Sequence, residues 1–315
     1  EGPYQQYIVE EGLAHVFEEE CPRDVSDTFP TALPEEAYQD NWIGRQTEQL
    51  LRDAPTDQPW FCQVNFVNPH NPWDVTEEMH GWYRDPDVEF PAVVDPDGEL
   101  SAENHQEIRR NYAAMVENID RWLGRFLDVL EERGEREDTV VVFASDHGEM
   151  LGDHGMWYKR SPYHQSAGVP LVVAGPGVES RGVVDEPATI MDLHATFRDY
   201  ADIDTGDNES RTMRPYLEGA SDPPRDVVFS GVNHWRMAFD GRYKLGRGFD
   251  PSLSHSERLG DVDAWDEAAI QTALEEREAL FFDLEEDPNE MTNVADEHPA
   301  EFDRLDDALT EMRTA

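Results

Sequence analysis

Two apolar runs limit what this chain can fold into more than any other feature: "TVVVFAS" at 139–145 and "VPLVVAG" at 169–175. Continuous β-branched and aliphatic residues without polar alternation are expected of strands buried on both faces of a parallel sheet. The segment joining them is polar and carries Asp146, His147 and Lys159. In open α/β sheets ligands lie just beyond the carboxyl ends of strands. Asp146 and His147 therefore stand where ligand chemistry is expected.

The surrounding pattern is helical. Ile108, Tyr112, Met115, Ile119, Trp122, Leu123, Phe126, Leu127 and Leu130 recur at helical spacing between Ser101 and Gly134, which predicts one long amphipathic helix closed by that glycine. A second helix is predicted over 34–54, entered through Pro34, and a third over "IMDLHATFRDYA" at 190–201. "PWFCQVNFVNPHNPWD" at 59–74 predicts a short buried strand that stops at the prolines flanking His70. Helix, strand, loop, strand and helix describe a layered α/β/α core over residues 1–222. From Pro223 the pattern changes to the short strands "DVVFSGV", "WRMAFD" and "YKLGRG", an acidic stretch and a last amphipathic helix, so 223–315 is expected to form a smaller α+β subdomain. "DPDGELSAENHQE" is not an EF-hand loop, because its glycine stands at the fourth position and calcium loops need it at the sixth.

Composition excludes several functions. Seventy acidic residues against twenty-five basic ones give a net charge of −45, spread along the chain, which opposes nucleic acid as a partner. Such self-repulsion is tolerable where salt screens it, since the Debye length at 1 M is only about 3 Å. A high-salt cytoplasm is the expected setting, with any export signal upstream of Glu1. Cys21 and Cys62 are too few for a disulfide framework and lack zinc-ligand spacing. No apolar stretch reaches the length of a membrane span. There is no G-x-S-x-G elbow, P-loop, H-E-x-x-H or dinucleotide fingerprint. Anion chemistry assisted by a metal remains.

For that chemistry an oxygen donor beside an imidazole suits a divalent cation, and Gly148 next to them permits close approach of the chain. Lys159 suits an anionic sulfuryl or phosphoryl oxygen. His70, held by Pro69 and Pro72, suits hydrogen bonding or general acid work. His154 and His164 are weaker candidates. Each residue alone also has a plainer reading: Asp146 as a turn cap, Lys159 as a surface lysine, His70 as a structural histidine.

Taken together, "SDHGEMLGDHGMWYK" followed by "VPLVVAGPG" resembles the second signature region of the sulfatases, in the alkaline phosphatase superfamily. "PWFCQVNFVNPHNPWD" is similar to the family's strand and Pro-His segment, and "LFFDLEEDPNEMTNVAD" to its closing "LYDLEXDPXEXXNL" pattern. The resemblance implies an alkaline phosphatase-like fold and a small sulfate-ester substrate. It implies a divalent cation on Asp146 and His147, calcium first, with manganese, magnesium or zinc as alternatives. Many members carry Asn where this chain has His147. It also implies that Lys159 holds a sulfate oxygen and that His70 contacts the sulfate and helps the leaving group depart. The family's nucleophile is a formylglycine made in a Cys- or Ser-x-Pro-x-Arg motif, and an Asp-Asp pair near the N-terminus completes its metal site. Neither is expected in these 315 residues, the one tempting candidate, "CPRD" at Cys21, having its Pro and Arg at the wrong offsets. A Lys-x-His element of the family is absent too. The chain reads as the C-terminal two-thirds of a sulfatase, with formylglycine expected in a preceding segment, and is expected not to turn over alone. The alternatives are a phosphonate monoester or phosphodiester hydrolase of the same superfamily and a metal-binding remnant without catalysis.

Overall fold

A computed structural model describes residues 2–19, 24–85, 87–204, 206, 208–253 and 267–314. Cys21 lies outside the described residues. The chain divides into two compact units, Glu1–Thr139 and Val140–Ala315.

The first unit is helical: α1 (Pro3–Glu10), α2 (Ala14–Glu19), α3 (Gln39–Arg52), α4 (Glu77–His80) and α5 (Ala102–Arg133). The long helix α5 has both predicted ends. The Ser101 hydroxyl accepts the Asn104 amide at 3.2 Å, and Gly134 closes the other end in the left-handed region at φ 71°. Its apolar stripe packs against α3, where Trp122 also donates its indole N–H to Asn41 at 2.8 Å.

The predicted strand at 59–67 is extended, but among the described residues it pairs with no other strand. Trp60, Cys62, Val64 and Phe66 pack against Leu51, Trp122, Phe126 and Val129, whereas Phe61 and Val67 on the opposite face are exposed. Alternate side chains of an extended segment point to opposite faces, and only one face here meets the helices.

The second unit holds β1 (Val141–Ala144) and β2 (Leu171–Ala174), the two runs that most constrain the chain. They pair antiparallel, with Val141 opposite Ala174 and Ala144 opposite Leu171. This corrects the expected parallel sheet, and neither strand is fully buried, Val172 being 59% exposed. A parallel neighbour needs a crossover, usually a helix, packed across the sheet. Residues 145–170 instead form a folded-back loop whose helix α6 (His164–Ala167) is a single turn. Then follow α7 (Leu193–Tyr200) and α8 (Arg214–Leu217).

The third part of this unit is a meander of β3 (Val228–Val232), β4 (Trp235–Phe239), β5 (Tyr243–Arg247) and β6 (Leu280–Asp283), antiparallel throughout. It is accompanied by α9 (Glu267–Glu276) and α10 (Pro299–Thr314). Alternation along β4 and β6 sends Ala238 and Phe281 toward Leu305 and Leu309 of α10. Trp235, Met237 and Phe282 face the other way and bury Met150, Met156 and Tyr163 of the loop after β1. The C-terminal sheet is thus the floor on which the 146–163 loop rests.

Candidate metal centre and anion loop

The Asp146 side chain is 85% exposed and that of His147 is 37% exposed, so both reach solvent just past the end of β1. His147 Nδ1 lies 2.9 Å from the Gly148 carbonyl, and donation there leaves Nε2 as the lone pair. That Nε2 stands 3.7 Å from Asp146 Oδ2. The other carboxylate oxygen accepts the His147 amide at 3.0 Å, and the Ser145 hydroxyl donates to the His147 carbonyl at 2.8 Å. One oxygen and one imidazole nitrogen are therefore presented at a shared point with their second atoms already occupied. This donor pair fits a divalent cation, and it is a partial set, since such ions take about four to eight donors. Among the described residues no group of three or more His, Cys, Asp or Glu could hold a metal.

Gly148 fixes the pair to the rest of the loop. Its amide donates to the Ser166 carbonyl at 2.8 Å, and a Cβ there would lie 2.0 Å from the Gln165 carbonyl oxygen. The expected close approach at this glycine is thus backbone against backbone. Beyond it, Leu151, His154, Tyr158 and Arg160 all have positive φ, a strained conformation for residues with a Cβ.

Glu149, which no pattern in the sequence marks, organises this stretch. Its Oε1 accepts the Leu151 amide at 3.2 Å and the Tyr158 amide at 2.5 Å, clipping the loop closed. Burial pushes its carboxyl up, opposed by those two amides and by the charges of Lys159 and His147. Lys159 is half-buried and within electrostatic reach of Glu149. Its significance is sharpened by composition: Lys159 and Lys244 are the only lysines in the sequence, all other basic residues being arginine or histidine. The structure thus brings Asp146, His147 and Lys159 into one loop, joined through Glu149.

His154 does not join them. It stacks on Tyr163 with ring centroids 4.0 Å apart. His164 is exposed and lines, with Asp146, Lys244 and β2, a groove of about 970 Å³ in this unit.

His70 belongs to the first unit. It is exposed, between Asn68-Pro69 and Asn71-Pro72, both cis, with Nδ1 2.6 Å from the Asn71 carbonyl. Asp40 anchors this turn and is not legible in the sequence. Fully buried on α3, it accepts the Val67 amide at 2.9 Å and the Asn68 amide at 3.1 Å. Burial raises its carboxyl from an ordinary 3.8 to about 6, against the pull of those amides. A raised acid favours the native state only while protonated, so its contribution to stability falls as pH rises through that window. Over the interval that is roughly 3 kcal/mol. Relative to wild type, Asp40→Asn should gain that amount of unfolding free energy between pH 4 and pH 7, measured by denaturant titration in molar KCl. A pH-independent difference would contradict the assignment.

The letters of the family's nucleophile motif do occur once, downstream, as Ser221-Asp222-Pro223-Pro224-Arg225. They do not form a nucleophile site. Ser221 is an exposed turn residue that donates to Asp222 at 3.2 Å, and the buried Arg225 is held by Asp192 through two bonds of 2.7 Å.

A family model described as Sulfatase matches residues 4–203. An arylsulfatase of Clostridium perfringens is 28% identical, the match covering 88% of this chain and 58% of that protein. A choline-sulfatase of Rhizobium meliloti is 29% identical, over 85% of this chain and 53% of its own. Arylsulfatase K of Gallus gallus is 30% identical, over 81% and 45%. The chain therefore spans about half the length of the curated relatives it matches. Among solved structures, a phosphonate monoester hydrolase from Silicibacter pomeroyi matches with a TM-score of 0.77 at 22% identity, over 99% of this chain and 68% of that one. A protein solved with its substrate D-glucosamine-2-N,6-O-disulfate matches with a TM-score of 0.69 at 18% identity, over 88% and 69%. These structures share the alkaline phosphatase-like α/β fold expected here. With its family model spanning most of the residues and including the Asp146–Lys159 loop, the chain belongs to the sulfatase family.

Proposed function

We propose that this chain carries the metal-loop half of a sulfate-ester hydrolase. The observation that carries the reading is the solvent-facing pair of Asp146 Oδ2 and His147 Nε2, 3.7 Å apart, in a loop that also holds Lys159. Asp146 and His147 would hold a divalent cation, calcium first, and the cation would supply charge stabilisation for sulfuryl oxygens. Lys159 donates to a substrate sulfate oxygen, and its ammonium, together with His70, offsets the negative charge that grows on the leaving oxygen as the S–O bond breaks. His70, its Nδ1 occupied by the Asn71 carbonyl, contacts the sulfate through Nε2 and, when protonated, delivers a proton to the departing alcohol. The nucleophile is assigned to no residue of these 315, a formylglycine being the family's means. Residues 1–222 form the catalytic core in this reading, and 223–315 the subdomain that supports its loop.

A second reading, hydrolysis of a phosphonate monoester or phosphodiester, is favoured by the fold match to phosphonate monoester hydrolases over 99% of the chain. A multifunctional alkaline phosphatase superfamily protein of Trinickia caryophylli, 24% identical, fits it as well. Parallel kinetics of the protein as encoded, on an aryl sulfate and an aryl phosphonate monoester, separate the two. A higher kcat/KM on the sulfate is expected. Preference for the phosphonate establishes the second reading, and cation binding without turnover of either establishes a non-catalytic remnant.

A further inference from the structure

Lys244, the second of the two lysines, is almost completely buried on β5. It pairs with Glu290, which is 2% exposed and sits in the closing "DPNEMTN" segment. Around Glu290 that segment is tied by its own side chains. Asp287 accepts the Met291 and Thr292 amides at 2.7 and 2.8 Å, and Asn293 bridges the Phe281 amide and the Ala279 carbonyl of the β6 region. A buried ion pair is not needed for any of this, and it carries a desolvation cost that apolar residues would avoid. The pair therefore asks for a purpose.

Glu290 supplies one through its other oxygen. Glu290 Oε2 accepts the His164 amide, the first of α6, at 2.6 Å across 126 residues of sequence. Two residues later the Ser166 carbonyl accepts the Gly148 amide at 2.8 Å, and Gly148 rests directly on the Gln165 carbonyl. Gly148 follows His147, whose ring is in turn held by the Gly148 carbonyl. Lys244 orients Glu290, Glu290 fixes α6, and α6 is the ledge against which the Asp146–His147 pair is set.

We infer that Glu290, held by Lys244, is a positioning residue for the metal loop: it sets the cation-binding pair through the His164 amide rather than by touching ligand or substrate. Its role at a cation site rests on the proposed function; the mechanical coupling does not. The test is amide hydrogen exchange at Gly148, measured without metal or substrate, in two variants of similar buried volume that both remove the charges. Lys244→Met with Glu290→Gln keeps an acceptor for the His164 amide, whereas Lys244→Met with Glu290→Met does not. The Gln form should keep Gly148 within about twofold of wild-type protection, and the Met form should exchange about tenfold faster or more there. The amides of β3 and β4 should be unchanged in both. Equal Gly148 exchange in the two variants, or a loss spread evenly over β3–β6, would overturn the coupling. Calcium titration of the same pair gives an independent readout, with weaker binding expected in the Met form. If neither variant nor wild type binds calcium while the exchange difference is present, the cation reading fails and the coupling stands.

Discussion

Gly148→Ala is expected to cost the second unit about 3 kcal/mol of stability and to abolish cation binding at Asp146 and His147. The added methyl would lie 2.0 Å from the Gln165 carbonyl oxygen and 3.1 Å from that of Gly168. Both are backbone atoms, so no side chain can rotate to relieve the overlap. Overpacking by one methyl typically costs about 1–3 kcal/mol, and rigid surroundings put this site at the upper end. Relief requires Gly148 to lift from α6, which breaks its bond to the Ser166 carbonyl and displaces the adjoining His147. Gly124 provides the control. It lies within α5 with nothing inside 4 Å of its would-be Cβ, so Gly124→Ala should stabilise by roughly 0.5–1 kcal/mol through helix propensity. Denaturant unfolding and calcium titration of both variants check the contrast. Equal, small effects would mean that the Gly148 contact is soft.

The second large effect is that of salt. A net charge of −45 must be held together at a density that exposed carboxylates cannot neutralise among themselves. Ion pairs such as Arg52 with Glu48 and Glu132, or Arg121 with Glu117, pull the other way because salt weakens them. Exposed pairs contribute only about 0–1 kcal/mol each, however, and the uncompensated acids outnumber them. Raising KCl from 0.1 M to 2 M should therefore raise the melting temperature by at least about 10 °C, at roughly 2–4 °C per kcal/mol for units of this size. A flat or falling curve would remove the high-salt interpretation.

Some of this is legible in the sequence alone. The caps of α5 are written in Ser101 and Gly134 because capping is local chemistry, settled within a few residues. The strand runs are legible as runs, but their direction is not: an apolar run states that a surface is covered, and says nothing of which neighbour covers it. The same holds for 59–67, where alternation becomes half-burial against helices instead of pairing in a sheet. That Asp146, His147 and Lys159 share one loop after β1 is legible from their spacing, and the metal and anion roles given to them are the proposal. Asp40, Glu149, Lys244 and Glu290 are not, because each matters through burial and through contacts that no local pattern announces. Glu290 acts on His164 and Asp40 on Asn68, and no periodicity connects either pair.

The most direct measurement is a calorimetric calcium titration of wild type, Asp146→Ala and Lys159→Ala in molar KCl. Asp146 is exposed, so its replacement leaves the fold in place while removing both a ligand oxygen and the acceptor of the His147 amide. Wild type should bind a single calcium ion, Asp146→Ala should bind more weakly by more than about a hundredfold, and Lys159→Ala should bind at least as tightly, since a cation has been removed from the loop. Unchanged affinity in Asp146→Ala would contradict the assignment of Asp146 and His147 as the metal pair, and with it the mechanism built on them.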